Sequence, residues 1–120
     1  MENYKTLREA CEIAQVSRRA IQGYEEAGLV SASQKNKYGH LLYDAGAVQR
    51  ISQIKLYQKF GYSIKEIQEI IDAPNEIRKE KLEKQLVKLK EDQKQLGTTI
   101  RVLQGIIDDL NEQLQMKKLD

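Results

Sequence analysis

One stripe of residues limits what this chain can fold into more than any other feature. Leu82, Leu86, Leu89, Gln93, Leu96, Ile100, Leu103, Ile107, Leu110 and Leu114 follow one another in steps of four and three. Nine of the ten positions are apolar, and the residues between them are mainly Lys, Glu, Gln and Asp. Such a pattern, held for more than four heptads, is a coiled-coil seam. A helix of roughly 40 residues spans about 60 Å. One such helix cannot bury its own stripe, so it needs a partner. The expected dimerisation helix covers 74–118.

That leaves the first 73 of the 120 residues for one small globular domain. Hydrophobic residues make up 40% of the chain, enough for a modest core, while six Tyr, one Phe and no Trp argue against a large one. Charged residues reach 32%, as long exposed helices require. The single Pro favours a mostly helical protein. Net charge is only +2, and both halves balance: residues 1–72 carry ten Lys/Arg against nine Asp/Glu, and 73–120 carry the same. A nucleic-acid partner must therefore be argued from local placement. One cysteine, Cys11, excludes an internal disulfide and any multi-thiolate metal site, and fits a reducing cytoplasm. The start Met-Glu-Asn-Tyr-Lys does not read as a signal peptide, and no apolar run is long enough to span a membrane.

The globular part divides at its caps. Thr6-x-x-Glu9 is a capping box, after which Leu7, Ala10, Cys11 and Ala14 share one helical face. Gln15-Val16 reads as a turn. Ser17 caps a second helix ending near Ala27, with Gly28 as its left-handed terminator. Residues 31–40 are polar and flanked by β-prone Leu29-Val30 and Leu41-Leu42-Tyr43, which predicts a hairpin-like wing. Asp44 caps a third helix expected from Ala47 to Phe60, carrying Val48, Ile51, Ile54 and Tyr57 at helical spacing and stopped by Gly61. Ser63-x-x-Glu66 is a second capping box, opening a helix whose Ile64, Ile67, Ile70 and Ile71 face inward. Pro74 suits the first position of the long helix, with Glu76 in its first turn.

No catalytic constellation is visible. His40 lies in a polar loop and reads first as a solvated residue, second as a phosphate or base contact. Glu25-Glu26 and Asp108-Asp109 are sequence neighbours whose side chains diverge on a helix, so solvated charge is the better reading. There is no glycine-rich phosphate loop. Cys11, on an apolar helix face, reads as a small buried filler. The Ser17-Arg18-Arg19 start is different in kind. A helix N-terminus presents free amides and a positive dipole end, which attract phosphate, and two arginines add charge-assisted donors. Arg18, Gln22 and Glu25 are placed to address a groove. Lys35 and Lys37 with Tyr38 and His40 form a basic, aromatic loop tip. Each signal is weak alone; on a helix-turn-helix with a wing they support one another.

In these motifs the chain resembles the MerR family of bacterial transcription regulators, over residues 4–73 by motif and 75–114 by architecture. The family's Ile-Gly-Glu is matched as Leu7-Arg8-Glu9, and its Val-Ser-x-Arg as Val16-Ser17-Arg18-Arg19. Its Tyr-Glu-x-x-Gly-Leu stands intact as Tyr24-Glu25-Glu26-Ala27-Gly28-Leu29. Its Leu-Gly-Phe-Ser-Leu-x-x-Ile becomes Phe60-Gly61-Tyr62-Ser63-Ile64-x-x-Ile67. There are departures. The usual Thr-Leu-Arg-Tyr-Tyr is Ala20-Ile21-Gln22-Gly23-Tyr24, which lacks an arginine and a tyrosine that touch DNA in the family. The wing's usual Gly-Tyr-Arg-x-Tyr is Gly39-His40-Leu41-Leu42-Tyr43, and the turn glycine is Gln15.

The expected fold is mainly α: a winged helix-turn-helix domain over 1–73, then a long helix, with no separate effector domain. The resemblance implies an antiparallel coiled coil between protomers and a distorted promoter spacer as the route to activation. It also implies a homodimer on a palindromic site of double-stranded promoter DNA, for which the residues themselves offer Ser17, Arg18, Arg19, Gln22, Tyr24, Lys35, Lys37, Tyr38 and His40 as contacts. RNA polymerase is the further partner this reading admits. Metal sensors of the family use cysteines near the end of the dimerisation helix, and none occurs there, so no metal or cofactor is expected and any small-molecule effector stays unassigned. Two other classes compete. One is an architectural or excisionase-like DNA-binding protein of the same fold. The other is a coiled-coil interaction protein without DNA binding. An enzyme is not expected.

Overall fold

The computed structural model describes residues 3–119. Met1 and Glu2, at the start of the segment weighed as a leader, and Asp120 lie outside them. The described residues form two compact units that divide between Arg78 and Lys79.

The first unit opens with a strand, β1 (Lys5–Thr6), that runs straight into helix α1 (Leu7–Ala14). The expected capping box is present: the Thr6 hydroxyl accepts from the Glu9 amide at 3.2 Å, and the Glu9 carboxylate accepts from the Thr6 amide at 3.0 Å. The carboxylate is held below its usual pKa mainly by that backbone amide. A tight turn leads to α2 (Arg18–Glu26), where the Ser17 hydroxyl accepts from Ala20 at 3.0 Å. Gly28 (φ 73) then reverses the chain in a conformation that favours glycine, and the Leu29 amide bonds back to the Tyr24 carbonyl at 2.9 Å.

The wing is a hairpin of β2 (Gln34–Lys35) and β3 (Leu41–Tyr43). β3 is the central strand of a three-stranded antiparallel sheet, pairing Leu42 with Gln34 on one side and with Thr6 on the other. One expectation changes here, and one strand is new. Leu29-Val30 is not a strand: Leu29 turns into the core at 6% exposure, and the strand begins only at Gln34. β1 had no signal beyond its capping residue, because two residues make a strand only where another strand lies beside them.

Asp44 caps α3 (Ala45–Lys59), which starts two residues earlier than expected. Val48, Ile51, Ile54 and Tyr57 are buried along its inner face. α4 (Ile64–Ile70) begins at the expected Ser63/Glu66 capping box, and Ile67, Ile70 and Ile71 are buried while Ile64 is half-buried. Ile21 and Tyr24 of α2 and Tyr43 of β3 complete this core. Cys11 is half-buried rather than buried, because it lies at the edge of the Ala10–Ala14 face.

The long helix α5 runs from Asn75 to Leu119. Pro74 stands one position outside it, and its carbonyl accepts the helix's opening bond from Arg78 at 2.9 Å. In the second unit the seam lies open: Leu96 is 60% exposed, Ile100 56% and Leu114 59%. The polar faces are stitched by pairs such as Lys84–Glu80 at 3.6 Å, which as exposed pairs contribute little.

Candidate nucleic-acid interface

Helix α2 turns Ile21 and Tyr24 into the core. With 3.6 residues per turn, Arg19 and Glu26 lie within about 20° of the opposite, outward direction, with Gln22 and Gly23 beside them and Arg18 to one side. Arg18, Arg19, Gln22 and Glu26 are all exposed, and Ser17 sits at the open N-terminal end. A Cβ placed on Gly23 would meet nothing within 4 Å, so the centre of the outward face is empty. The face thus presents two guanidinium groups, one amide and one carboxylate around a bare stretch of backbone. Those groups match the donors and acceptors exposed in a DNA major groove.

Two expected contacts are corrected. Tyr24 is a core residue: its ring is 2% exposed, and its hydroxyl donates to Gln58 Oε1 of α3 at 2.6 Å. Its periodicity matches Ile21, and burial raises its pKa. Glu25 does not point into a groove either. Its carboxylate accepts from the hydroxyl of buried Tyr43, whose pKa is raised by burial and then by that carboxylate. Glu25 therefore ties α2 to β3 and anchors the wing beside it.

The wing tip is shaped by Asn36, a residue that no motif in the sequence singles out. Its side-chain oxygen accepts from the amides of Tyr38 (2.9 Å) and His40 (3.0 Å), while its own amide bonds to the His40 carbonyl at 2.9 Å. Asn is a common turn former for this reason. The loop presents Lys37 over the Tyr38 ring, 5.1 Å from its centroid, and His40 with its ring centroid 6.4 Å from that of Tyr38. Lys35, Lys37, Tyr38 and His40 are all exposed, Tyr38 to 72%. Nothing here is buried enough to demand a core explanation.

Other groups brace α2 from behind. Lys55 of α3 donates to the Gln15 carbonyl at the end of α1. Gln68 of α4 donates to the Ala27 carbonyl at 2.6 Å, and Arg50 Nε of α3 to the Leu29 carbonyl at 2.8 Å. These partners lie 21 to 41 residues apart, so no local pattern could reveal them. Among the described residues there is no group of three His, Cys, Asp or Glu side chains able to hold a metal ion, and no helix is long and apolar enough to cross a membrane.

A cap-initiated α2 behind a short turn, a following hairpin and a long C-terminal helix define a winged helix-turn-helix protein. The chain belongs to the MerR HTH family of regulatory proteins, whose pattern matches residues 5–74, and the family's DNA-binding region matches 48–113. It is 35% identical over 65 residues to the nodulation protein NolA of Bradyrhizobium elkanii, covering 54% of this chain and 30% of that one. Among solved structures it is similar to the N-terminal part of the Bacillus subtilis multidrug transporter activator (26% identity, 86% of this chain, 97% of that one, TM-score 0.68). The same fold occurs in HiNmlR, a MerR family regulator lacking the sensor domain and bound to promoter DNA (22% identity, 82% and 79% covered, TM-score 0.68). The chain spans between 24% and 44% of the length of the curated relatives it matches.

Proposed function

We propose that this chain acts as a homodimeric, sequence-specific DNA-binding transcriptional regulator of the cytoplasm. Its winged domain (1–73) would read one half of a palindromic promoter site, and its helix (74–118) would pair antiparallel with a second copy. The observation that carries the reading is the outward face of α2. Arg19, Gln22 and Glu26 project from a helix whose other side is fully used by the core, and no other role in the fold accounts for them. In a major groove Arg reads guanine and Gln reads adenine, each by two hydrogen bonds, and Glu accepts from cytosine. Arg18 and the free amides after Ser17 suit the flanking phosphates. Lys35, Lys37, Tyr38 and His40 suit backbone or minor groove one step outward. HiNmlR, which shares this fold and is bound to promoter DNA, supports the same mode. RNA polymerase is the second protein partner of this reading, at a promoter whose spacer the dimer distorts.

The test is selection of bound fragments from random duplex DNA by the purified protein. An inverted repeat shared by the recovered fragments is the expected result. Degenerate recovery would replace this reading with an architectural DNA-binding protein. Recovery of nothing would leave a coiled-coil interaction protein, the alternative to which Gly23 and Leu41 point by standing where the family has a tyrosine and an arginine.

A further inference from the structure

The seam of α5 is symmetric about one residue. Leu96 and Ile100 stand two positions to either side of Thr98, Leu82 and Leu114 stand sixteen, and every seam residue between them has its mirror. Two copies running in opposite directions about an axis at Thr98 therefore set all ten positions against seam positions of the other copy. Moving the axis half a heptad leaves Leu110 and Leu114, or Leu82 and Leu86, of each copy without a seam partner. That returns four large apolar residues per pair to water, and their burial is the main force that joins such helices. Gln93 meets a leucine in each of these registers, so it does not choose among them. In the single chain the seam residues from Leu86 to Leu114 are exposed and Leu82 is half-buried.

The flanks of the seam agree with that axis. Only at the axis do residues beside the seam face their own counterparts. With the axis at Thr98 these are Gly97 on one flank and Thr99 on the other. Neither carries charge, and the Thr99 hydroxyl is occupied on its own helix, donating to the Gln95 carbonyl at 3.1 Å. An axis at residue 91, a full heptad earlier, sets Lys90 and Asp92 each against its own like charge. Glycine inside a helix is unfavourable, and no crowding within the chain calls for Gly97: a Cβ there would come near only Arg101 Nη1, at 3.9 Å. A second helix approaching on that flank supplies the reason. Gly105, equally open, lies on the far side of the helix, and the pairing does not account for it. Charge fits the reversed direction as well. Residues 82–97 carry four Lys against three Glu/Asp, while 99–114 carry one Arg against three, so opposite running lays the basic half beside the acidic one.

We propose that two copies of α5 pair antiparallel about an axis at Thr98, with Gly97 facing Gly97 of the second copy and Leu82 meeting Leu114 at both ends. The proposal rests on the reading of 74–118 as a helix that pairs with a second copy, and it fixes which residues of that copy each seam residue meets.

The register is measurable as a distance. In the full chain with Cys11→Ser, Glu83→Cys puts one spin label on the same flank of each helix, fifteen residues from the axis. At about 1.5 Å per residue the two labels should lie about 45 Å apart. Half a heptad of slip gives about 35 or about 56 Å instead, and either value overturns the register while leaving the antiparallel pair. A separation within about 25 Å means parallel helices and overturns the register together with the antiparallel reading. A monomer in sedimentation, for this variant and for wild type, overturns the pairing itself. Charge gives the second readout. Gly97→Glu should weaken the pair by about tenfold or more at low salt, and mixing it with Gly97→Lys should restore pairing as a mixed dimer, because residue 97 meets itself only at this axis. Gly105→Glu should do neither. If Gly97→Glu and Gly97→Lys show no preference for each other, the axis does not lie at Thr98.

Discussion

Gln15 ends α1 in the left-handed region, at φ 55, with no glycine to relieve it. A side chain there costs about 1 kcal/mol. Gln15→Gly should therefore raise stability by up to about 1 kcal/mol, and Gln15→Val should lower it by about 1–2 kcal/mol, read from urea midpoints. Gly23 presents the reverse case. It lies inside α2 with open space where a side chain would go, so Gly23→Ala should stabilise by roughly 0.5–1 kcal/mol in thermal unfolding. A drop in melting temperature would show that the gap is not truly free. Asp72 adds a pH signature. Its pKa is lowered, first by the hydrogen bond from Arg50, so its contribution is complete above its ordinary 3.8 and fades as pH falls below that. Wild type and Asp72→Asn should thus differ by a constant amount near neutrality and converge in acid. Among these residues, a turn at Gln15 was legible from where the first helix stops, while its left-handed backbone was not. The Arg50–Asp72 pair was not, since its members are 22 residues apart and neither stands in an unusual local pattern.

At the scale of elements, the caps were the most readable part of the chain. Thr6, Ser17, Asp44 and Ser63 all cap as their spacing implies, because a capping bond depends on residues no more than three apart. Ser63→Ala should cost about 1 kcal/mol by removing the bond to Glu66 and half of a capping box. The inner face of α3 was equally legible from its periodicity. Ile51 and Ile54 are fully buried, so Ile54→Ala should cost about 2–5 kcal/mol, close to the whole stability of a domain this small. The sheet was read least well. β1 and β2 are two residues each, and pairing at such length is decided by what lies alongside rather than by composition. The same limit hid the corrected members of the site. Tyr24 and Glu25 stand beside outward-facing Gln22 and Glu26, and only the packing of α2 on Gln58 and Tyr43 separates the inward pair from the outward one.

The molecule as a whole joins a small, well-packed winged domain to a helix whose seam lies open in a single chain. Burial at about 1.5–3 kcal/mol per leucine gives that seam ample driving force for a second copy. Leu96→Asp combined with Leu103→Asp should yield monomers in sedimentation, while Gln93→Leu should stabilise the dimer by removing the seam's one polar residue. In the proposed dimer, pairing would multiply whatever each winged domain contributes on DNA. With near-neutral net charge, the proposed DNA affinity would rest on a few exposed cations: Arg18, Arg19, Lys35 and Lys37. Log affinity should fall steeply with log salt, and Lys35→Ala or Lys37→Ala should remove about one unit of slope per lost phosphate contact in each protomer, equally for every sequence. Arg19→Ala and Gln22→Ala should act differently, costing about 1–3 kcal/mol each and relaxing preference at one base position per half-site. Arg18, set to the side of α2, should behave like the lysines. If Arg18→Ala relaxes a base preference while Arg19→Ala only lowers the salt slope, α2 enters the groove rolled toward its Arg18 side, and the outward face drawn from its packing is not the one that reads.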